Sequence, residues 1–385
     1  MKSFLHSILL MVQCLIIAGI SYIVPKKKGY AAFIYQRPGG ANGRFEGNLK
    51  YLFKYIVSQK DSIINPVWLT NNPQTFSMLQ KASYPVRDYK NLLFSILTPE
   101  YVFIDSTEPM LPWGKFQIFQ LWHGTGFKNI LLKSGKKKQF LIHYLRKRAF
   151  SKYRLIVASS QEDKERKIAS FGNKNVVITG SPRNDLFYDS EFDVQSFKKK
   201  IGIDSCTIIY LYAPTYRNDT SETPFSEEFF TRAQKLMFES NSILLIKKHP
   251  NDKRCNMAGK YPHIRDITHD IEDVQELLAI TDVLITDYSG ISTDFAITNR
   301  PILFYFYDEN EFIRKSRDFH YNLNSILPGP IIENEWDLLE KMFDLSWFEN
   351  PSYFRKYDDF RKVFQVYNDG LSSERVYKWL KRKTR

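Results

Sequence analysis

Short apolar runs that stop abruptly in clusters of glycine, serine, proline, histidine and arginine recur along this chain, and they restrict its fold more than any other feature. Val283-Leu284-Ile285-Thr286 leads into Asp287-Tyr288-Ser289-Gly290-Ile291-Ser292-Thr293-Asp294, with Phe295-Ala296 beyond. That is the pattern of a strand end, a hydroxyl-rich turn and a helix start. Four further junctions share it: 116–120 before Leu121-Trp122-His123-Gly124-Thr125-Gly126, 176–178 before Thr179-Gly180-Ser181-Pro182-Arg183-Asn184-Asp185, 208–211 before Tyr212-Ala213-Pro214-Thr215-Tyr216-Arg217, and 243–246 before Lys247-Lys248-His249-Pro250. Runs this short, bounded by turn formers, suit strands of a parallel sheet buried on both faces. Strands are expected at 30–35, 66–70, 101–105, 116–122, 154–158 and 176–179, then at 207–212, 242–247, 282–286 and 301–306. Helical stretches such as 47–58, 226–240 and 271–279 lie between them, so the class is α/β.

The polar clusters have the chemistry of phosphate handling. A helix N-terminus offers unpaired N–H groups and roughly half a positive charge to an anion. Ser289, Gly290, Ser292 and Thr293 add hydroxyl donors and room for close approach. In open parallel sheets, ligands sit beyond the carboxyl ends of the strands, where all these clusters fall. Taken singly, each is equally an ordinary serine-capped βα turn.

Together the clusters resemble the CDP-glycerol glycerophosphotransferase family of teichoic-acid and related capsule synthesis. The resemblance is carried by Trp122-His123-Gly124-Thr125, Ser181-Pro182-Arg183-Asn184-Asp185, Tyr212-Ala213-Pro214-Thr215-Tyr216-Arg217, His249-Pro250 and Thr286-Asp287-Tyr288-Ser289, in the family's order. The upstream block from Gly43 to Phe53 resembles its first βα junction. What the resemblance implies is a GT-B-like fold of two Rossmann-type domains facing across a cleft, with the nucleotide donor held mainly by the second. It also implies a reaction in which a hydroxyl of a lipid-linked glycan or polyol-phosphate acceptor attacks the glycerol-bearing phosphorus of CDP-glycerol, and CMP leaves. On this basis residues 1–28 are a membrane-associating segment, 29–195 an acceptor domain, and 196–385 a donor domain whose last helix returns to the first. The hydrophilic stretch 185–205 suits the boundary.

The resemblance also assigns roles. His123 is the expected general base on the acceptor hydroxyl, for which an imidazole is suited, and His249 the expected partner of the diphosphate. Gly124 and Thr125 line the substrate, as do Arg183, Asn184, Asp185, Thr215, Arg217 and Lys247. Asp287, Tyr288, Ser289, Gly290, Ser292, Thr293 and Asp294 form the nucleotide-side turn. Arg183 and Arg217 suit phosphate oxygens because a guanidinium donates two parallel hydrogen bonds; by themselves both also read as surface arginines. The chain departs from the family pattern twice. Lys247-Lys248 precede His249 where many relatives carry an arginine, which keeps the charge but loses the fork. Ser289-Gly290 stands where a serine pair is common, so the second hydroxyl is expected from Ser292 or Thr293, or its place taken by the Gly290 N–H.

Composition bounds the rest. At 385 residues and 43% hydrophobic, the chain buries substantial cores and is most simply two domains. A formal charge of +13 calls for an anionic partner. No nucleic-acid module is present, so the basic stretches face membrane, polymer or plain solvent. Cys14, Cys206 and Cys255 show no paired spacing, and no metal motif or P-loop occurs, so no catalytic metal or other cofactor is expected beyond weak magnesium on the diphosphate.

Residues 4–24 are mostly apolar and are followed by Pro25-Lys26-Lys27-Lys28. Their length is at the edge of the about 20 residues that span a bilayer. Whether they span it or lie on it as an interfacial helix with the lysines drawn to anionic lipid, the catalytic body is expected on the cytoplasmic side of the membrane. A buried first helix is the alternative. Competing functions are a GT-B glycosyltransferase using a nucleotide sugar, a ribitol-phosphate transferase using CDP-ribitol, and a non-enzymatic protein that binds anionic glycopolymer.

Overall fold

The structure, a computed structural model, describes residues 12, 15–36, 43–60, 63–88, 92–106, 113–127, 129–133, 140–217, 224–249, 252, 259–309, 312 and 321–384. The chain forms two compact units. The first comprises Met1–His123, Ile130–Asp185 and Asp369–Arg385; the second comprises Gly124–Asn129 and Leu186–Asn368.

In the first unit, β1 (Lys27–Ile34), β2 (Asn65–Thr70), β3 (Val86–Asp88), β4 (Pro99–Ile104), β5 (Gln117–Gln120), β6 (Tyr153–Ala158) and β7 (Val176–Ile178) form one sheet in the order β3-β2-β1-β4-β5-β6-β7. Every pairing is parallel. Successive side chains point to opposite faces, so one strand feeds two cores. Ala31, Phe33 and Tyr35 join Leu49, Leu52 and Phe53 of the helix Gly47–Ser58, while Ala32 and Ile34 join Phe150 and Phe171 on the other side.

The second unit repeats the plan with β8 (Ile208–Tyr212), β9 (Ser242–Ile246), β10 (Ile264–Asp266), β11 (Val283–Thr286), β12 (Ile302–Tyr305) and β13 (Ile331–Ile332), in the order β10-β9-β8-β11-β12-β13. All its pairings are parallel too. Ile209 and Leu211 face one core, and Tyr210 and Tyr212 the other. In each sheet the strand order reverses beside the first strand, between β1 and β4 and between β8 and β11. The crevice at such a reversal is where open α/β sheets bind ligands.

The sequence puts the domain boundary at 195/196, whereas the units divide after Asp185. The hydrophilic stretch beyond it carries Phe197 and Ile203, buried in a core of the second unit, with Phe187, Phe192, Val194 and Ile201 packed against that core. Gly124–Asn129 joins the second unit through Phe127, whose ring lies 5.6 Å from Phe364 and 6.3 Å from Phe360.

Residues 15–23 are helical, with Ala18 and Ser21 buried and Leu15, Ile16, Tyr22 and Ile23 exposed. The backbone N–H of Lys115 donates to Ser21 Oγ at 2.8 Å and fixes the helix on the first unit. Among the described residues no helix is long and apolar enough to cross a membrane; residues 4–11, 13 and 14 of the apolar stretch lie outside them. The lysine cluster also divides. Lys26 turns inward, donating to the Leu97 carbonyl at 2.5 Å with its Nζ 3.9 Å from the Phe116 ring centre. Burial, and then Lys115, lower its pKa to about 8. Only Lys27 and Lys28, which begin β1, face outward.

The last helix, Ser372–Thr384, belongs to the first unit, where Val376, Tyr377 and Leu380 are buried and the Tyr377 ring lies 5.8 Å from Tyr55. Asp185, expected at the substrate, receives the Ser372 and Ser373 N–H groups at 2.9 and 2.7 Å and so caps this helix. Burial raises the Asp185 pKa, with the hydrogen bonds from Ser373 and Ser372 pulling the other way. Asp185→Ala is expected to lower stability by about 1 kcal/mol, as loss of a cap does, and to reduce amide-exchange protection selectively in Ser372–Thr384.

Candidate functional site

His123 follows β5 at the carboxyl end of the first sheet and is held there by its neighbours. The Gln120 side chain receives the Trp122 N–H at 2.8 Å and donates to the Ser106 carbonyl at 2.8 Å. Trp122 adopts φ 53°, in the left-handed region. For a bulky residue this costs on the order of 1–3 kcal/mol and persists only where the surroundings over-determine it. Asn48 supplies that determination: its side-chain amide donates to the Leu121 and Trp122 carbonyls at 3.1 and 2.8 Å and accepts the Arg183 N–H at 3.1 Å. One buried amide thus ties the start of the helix Gly47–Ser58 to the histidine loop and to the 180–185 loop. Arg183 Nη1 donates to the His123 carbonyl at 2.9 Å, so at least one arm of that guanidinium serves the loop. Asn184, beside it, is buried.

The His123 ring lies 4.1 Å from Trp122, and its Nδ1 is 2.9 Å from the Asp105 carbonyl at the end of β4. A carbonyl only accepts, so Nδ1 carries the proton and the neutral ring has its lone pair on Nε2. This is the tautomer a general base requires. Gly124 follows with φ 120°, a conformation side chains rarely adopt, so glycine is needed there for the backbone itself. The sequence did not single out Asn48 or Gln120, although Asn48 lies in the Gly43 to Phe53 block.

In the second unit the polar residues after β8, β9, β11 and β12 converge. Asp287 is fully buried and accepts the Thr215 N–H at 2.8 Å and Arg217 Nη2 at 2.8 Å. Arg217, 7% exposed, also directs Nε and Nη2 at Asp308 (2.7 and 3.0 Å) and Nη1 at the Thr215 carbonyl (2.7 Å). Burial opposes the guanidinium's charge, but Asp287 and Asp308 outweigh it and raise its pKa above the ordinary arginine value. Arg217, read from sequence as a phosphate donor, therefore turns its fork on carboxylates of its own unit.

Other expected site residues also have partners within the unit. Lys247 Nζ donates to the Thr268 and Ile271 carbonyls, and Lys248 pairs with Asp266 at 2.9 Å. The Tyr288 ring is buried and stacks on Phe312 at 4.2 Å. Ser292 and Thr293 are buried, with their hydroxyls donating to the Ser289 carbonyl and to the Gly290 and Thr125 carbonyls. Asp294 is buried opposite Gln365. The helix that the turn begins, Ile291–Phe295, has 5 residues, too short for a strong dipole. A Cβ at Gly290 would stand 2.4 Å from the Thr125 carbonyl, so glycine is what lets the 125–126 backbone lie against the turn. Ser289 and Gly290 remain half-exposed. His249 is exposed, with its ring 4.6 Å from that of Tyr216.

With this geometry in view, comparison with known proteins is specific. The family described as CDP-Glycerol:Poly(glycerophosphate) glycerophosphotransferase matches residues 16–381. The teichoic acid ribitol-phosphate polymerase TarL of Staphylococcus aureus is 30% identical over 348 residues, covering 86% of this chain and 59% of its own. The teichoic acid glycerol-phosphate transferase of the same organism is 24% identical, covering 86% of this chain and 89% of its own. The chain spans about half to two-thirds of the length of three ribitol-phosphate polymerases that it matches. A solved structure of the wall teichoic acid polymerase TagF (its H548A variant) superposes with a TM-score of 0.80 at 19% identity, over 100% of this chain and 97% of that one, which establishes a shared α/β fold.

Asn48→Ala is expected to destabilise the protein by about 2 kcal/mol, since it strands the Arg183 N–H and two loop carbonyls together. Urea unfolding should show a lower midpoint at unchanged slope.

Proposed function

The chain belongs to the CDP-glycerol:poly(glycerophosphate) glycerophosphotransferase family, and from that premise we propose that it moves a polyol phosphate from its CDP-linked donor to a hydroxyl of a lipid-linked acceptor or growing polyol-phosphate chain in teichoic-acid or capsule synthesis. The observation that carries this is the His123 tautomer, fixed by the Asp105 carbonyl at 2.9 Å. Nε2 takes the acceptor's proton as its oxygen attacks the polyol-bearing phosphorus. The bond from that phosphorus to the bridging oxygen breaks, and CMP leaves with the electron pair. His249 hydrogen-bonds the leaving phosphate, and the half-exposed Ser289–Gly290 turn receives the diphosphate. Such transfer asks a protein chiefly for positioning and charge neutralisation.

Glycerol phosphate is the unit the family's name supports. Ribitol phosphate is the second reading, favoured by the 30% identity to two ribitol-phosphate polymerases against 24–25% to two glycerol-phosphate enzymes. Supplying purified protein with a short-chain lipid-diphosphate disaccharide and either CDP-glycerol or CDP-ribitol, and weighing the product, distinguishes them. His123→Ala is expected to lower CMP release by about 10²–10⁴-fold, the usual worth of a general base. Unchanged turnover would remove the assignment.

We further propose attachment to the cytoplasmic face of the membrane through the helix at 15–23, supported by its exposed Leu15, Ile16, Tyr22 and Ile23 and by Lys27 and Lys28. Ile16→Asp combined with Ile23→Asp is expected to abolish flotation with anionic vesicles. Undiminished flotation would refute this attachment.

A further inference from the structure

The buried charge cluster of the second unit has a geometry that its sequence motif does not disclose. Arg217 stands after β8, Asp287 after β11 and Asp308 after β12, three strands adjacent in the sheet. One guanidinium bridges both carboxylates: Nη2 reaches Asp287 at 2.8 Å and Asp308 at 3.0 Å, and Nε reaches Asp308 at 2.7 Å. Its Cζ lies 4.0 Å from the Phe312 ring centre, and Phe312 stacks on Tyr288, the residue that joins Asp287 to Ser289. The other Asp287 oxygen holds the Thr215 N–H. Only a planar, multiply donating cation makes all these bonds at once.

We propose that Arg217 and Asp308 are positioning residues for the anion-binding turn: the clasp fixes Asp287 and Tyr288, and through them sets the backbone of Ser289 and Gly290, without touching the ligand. The inference rests on the proposal that this turn receives the donor diphosphate. It differs from the motif's implication that Arg217 itself grips phosphate. The two roles predict opposite effects of removing Asp308. A phosphate ligand relieved of a competing carboxylate binds an anion as well as before or better. A clasp deprived of one jaw lets the turn drift and binds worse.

The test is calorimetric titration of the full chain with CDP, for wild type, Asp308→Asn, Arg217→Lys and the double variant. Both single variants are expected to weaken CDP binding on the order of tenfold, and the double variant to weaken it by about the same factor as either alone, since contacts within one network are not additive. Tighter or unchanged binding by Asp308→Asn, with loss in Arg217→Lys, would overturn the proposal in favour of direct phosphate contact. Lowered melting temperature with wild-type affinity in every variant would also overturn it, leaving the cluster a purely structural one. The isosteric Asp308→Asn decides between these alone if the arginine variants do not fold. A wild type that binds no CDP overturns the donor assignment, and this inference with it.

Discussion

A parallel sheet buried on both faces leaves its polar chemistry one place to go. In both units every core strand carries apolar side chains on its two faces, with Phe33 against Phe103 on one side of the first sheet and Ile34 among Ile104 and Ile156 on the other. Charged and hydroxyl side chains are excluded from that interior unless paired, so they collect where strands end. In each sheet the strand order reverses beside the first strand, beside β1 and again beside β8, and such a reversal is where open α/β sheets bind ligands. The rest of the architecture serves to hold those loops still.

The two units solve that problem with different chemistry. In the first, a neutral amide does it: Asn48 has donors and acceptor enough to bind three backbone groups on two loops, and the strained Trp122 is the result. In the second, a charge does it, with Arg217 between Asp287 and Asp308. A buried ion pair of this kind is no certain gain in stability, because desolvation offsets attraction, but removing one partner leaves a charge stranded. Its effect is conformational, since a guanidinium held by two carboxylates and a ring has few alternative positions.

Much of this was legible before any coordinates. The ten expected strands stand within a few residues of their expected positions, because a run such as Val283–Thr286 has no other way to bury itself. The three strands that escaped notice, β3, β10 and β13, are short and lie at or near sheet edges, where half-exposed positions leave no continuous apolar run. The units divide at the first residue of the hydrophilic stretch 185–205, whose lysines dominate its composition while Phe197 and Ile203, spaced among them, pack in a core of the second unit.

By itself the sequence determined the α/β class and the family, because apolar period and turn composition are local properties of the chain. What the tertiary structure alone decided was which partner within the protein each polar side chain meets. Arg217, Lys247 and Asp185 all carry groups that suit a phosphate ligand or its surroundings, yet a guanidinium donates to a carboxylate as readily as to a phosphate, an ammonium donates to a carbonyl, and a carboxylate caps a helix as well as it orients a substrate. Which partner each meets depends on strands far apart in sequence and adjacent in the sheet, and the tautomer of His123 was set in the same way, by a carbonyl 18 residues upstream.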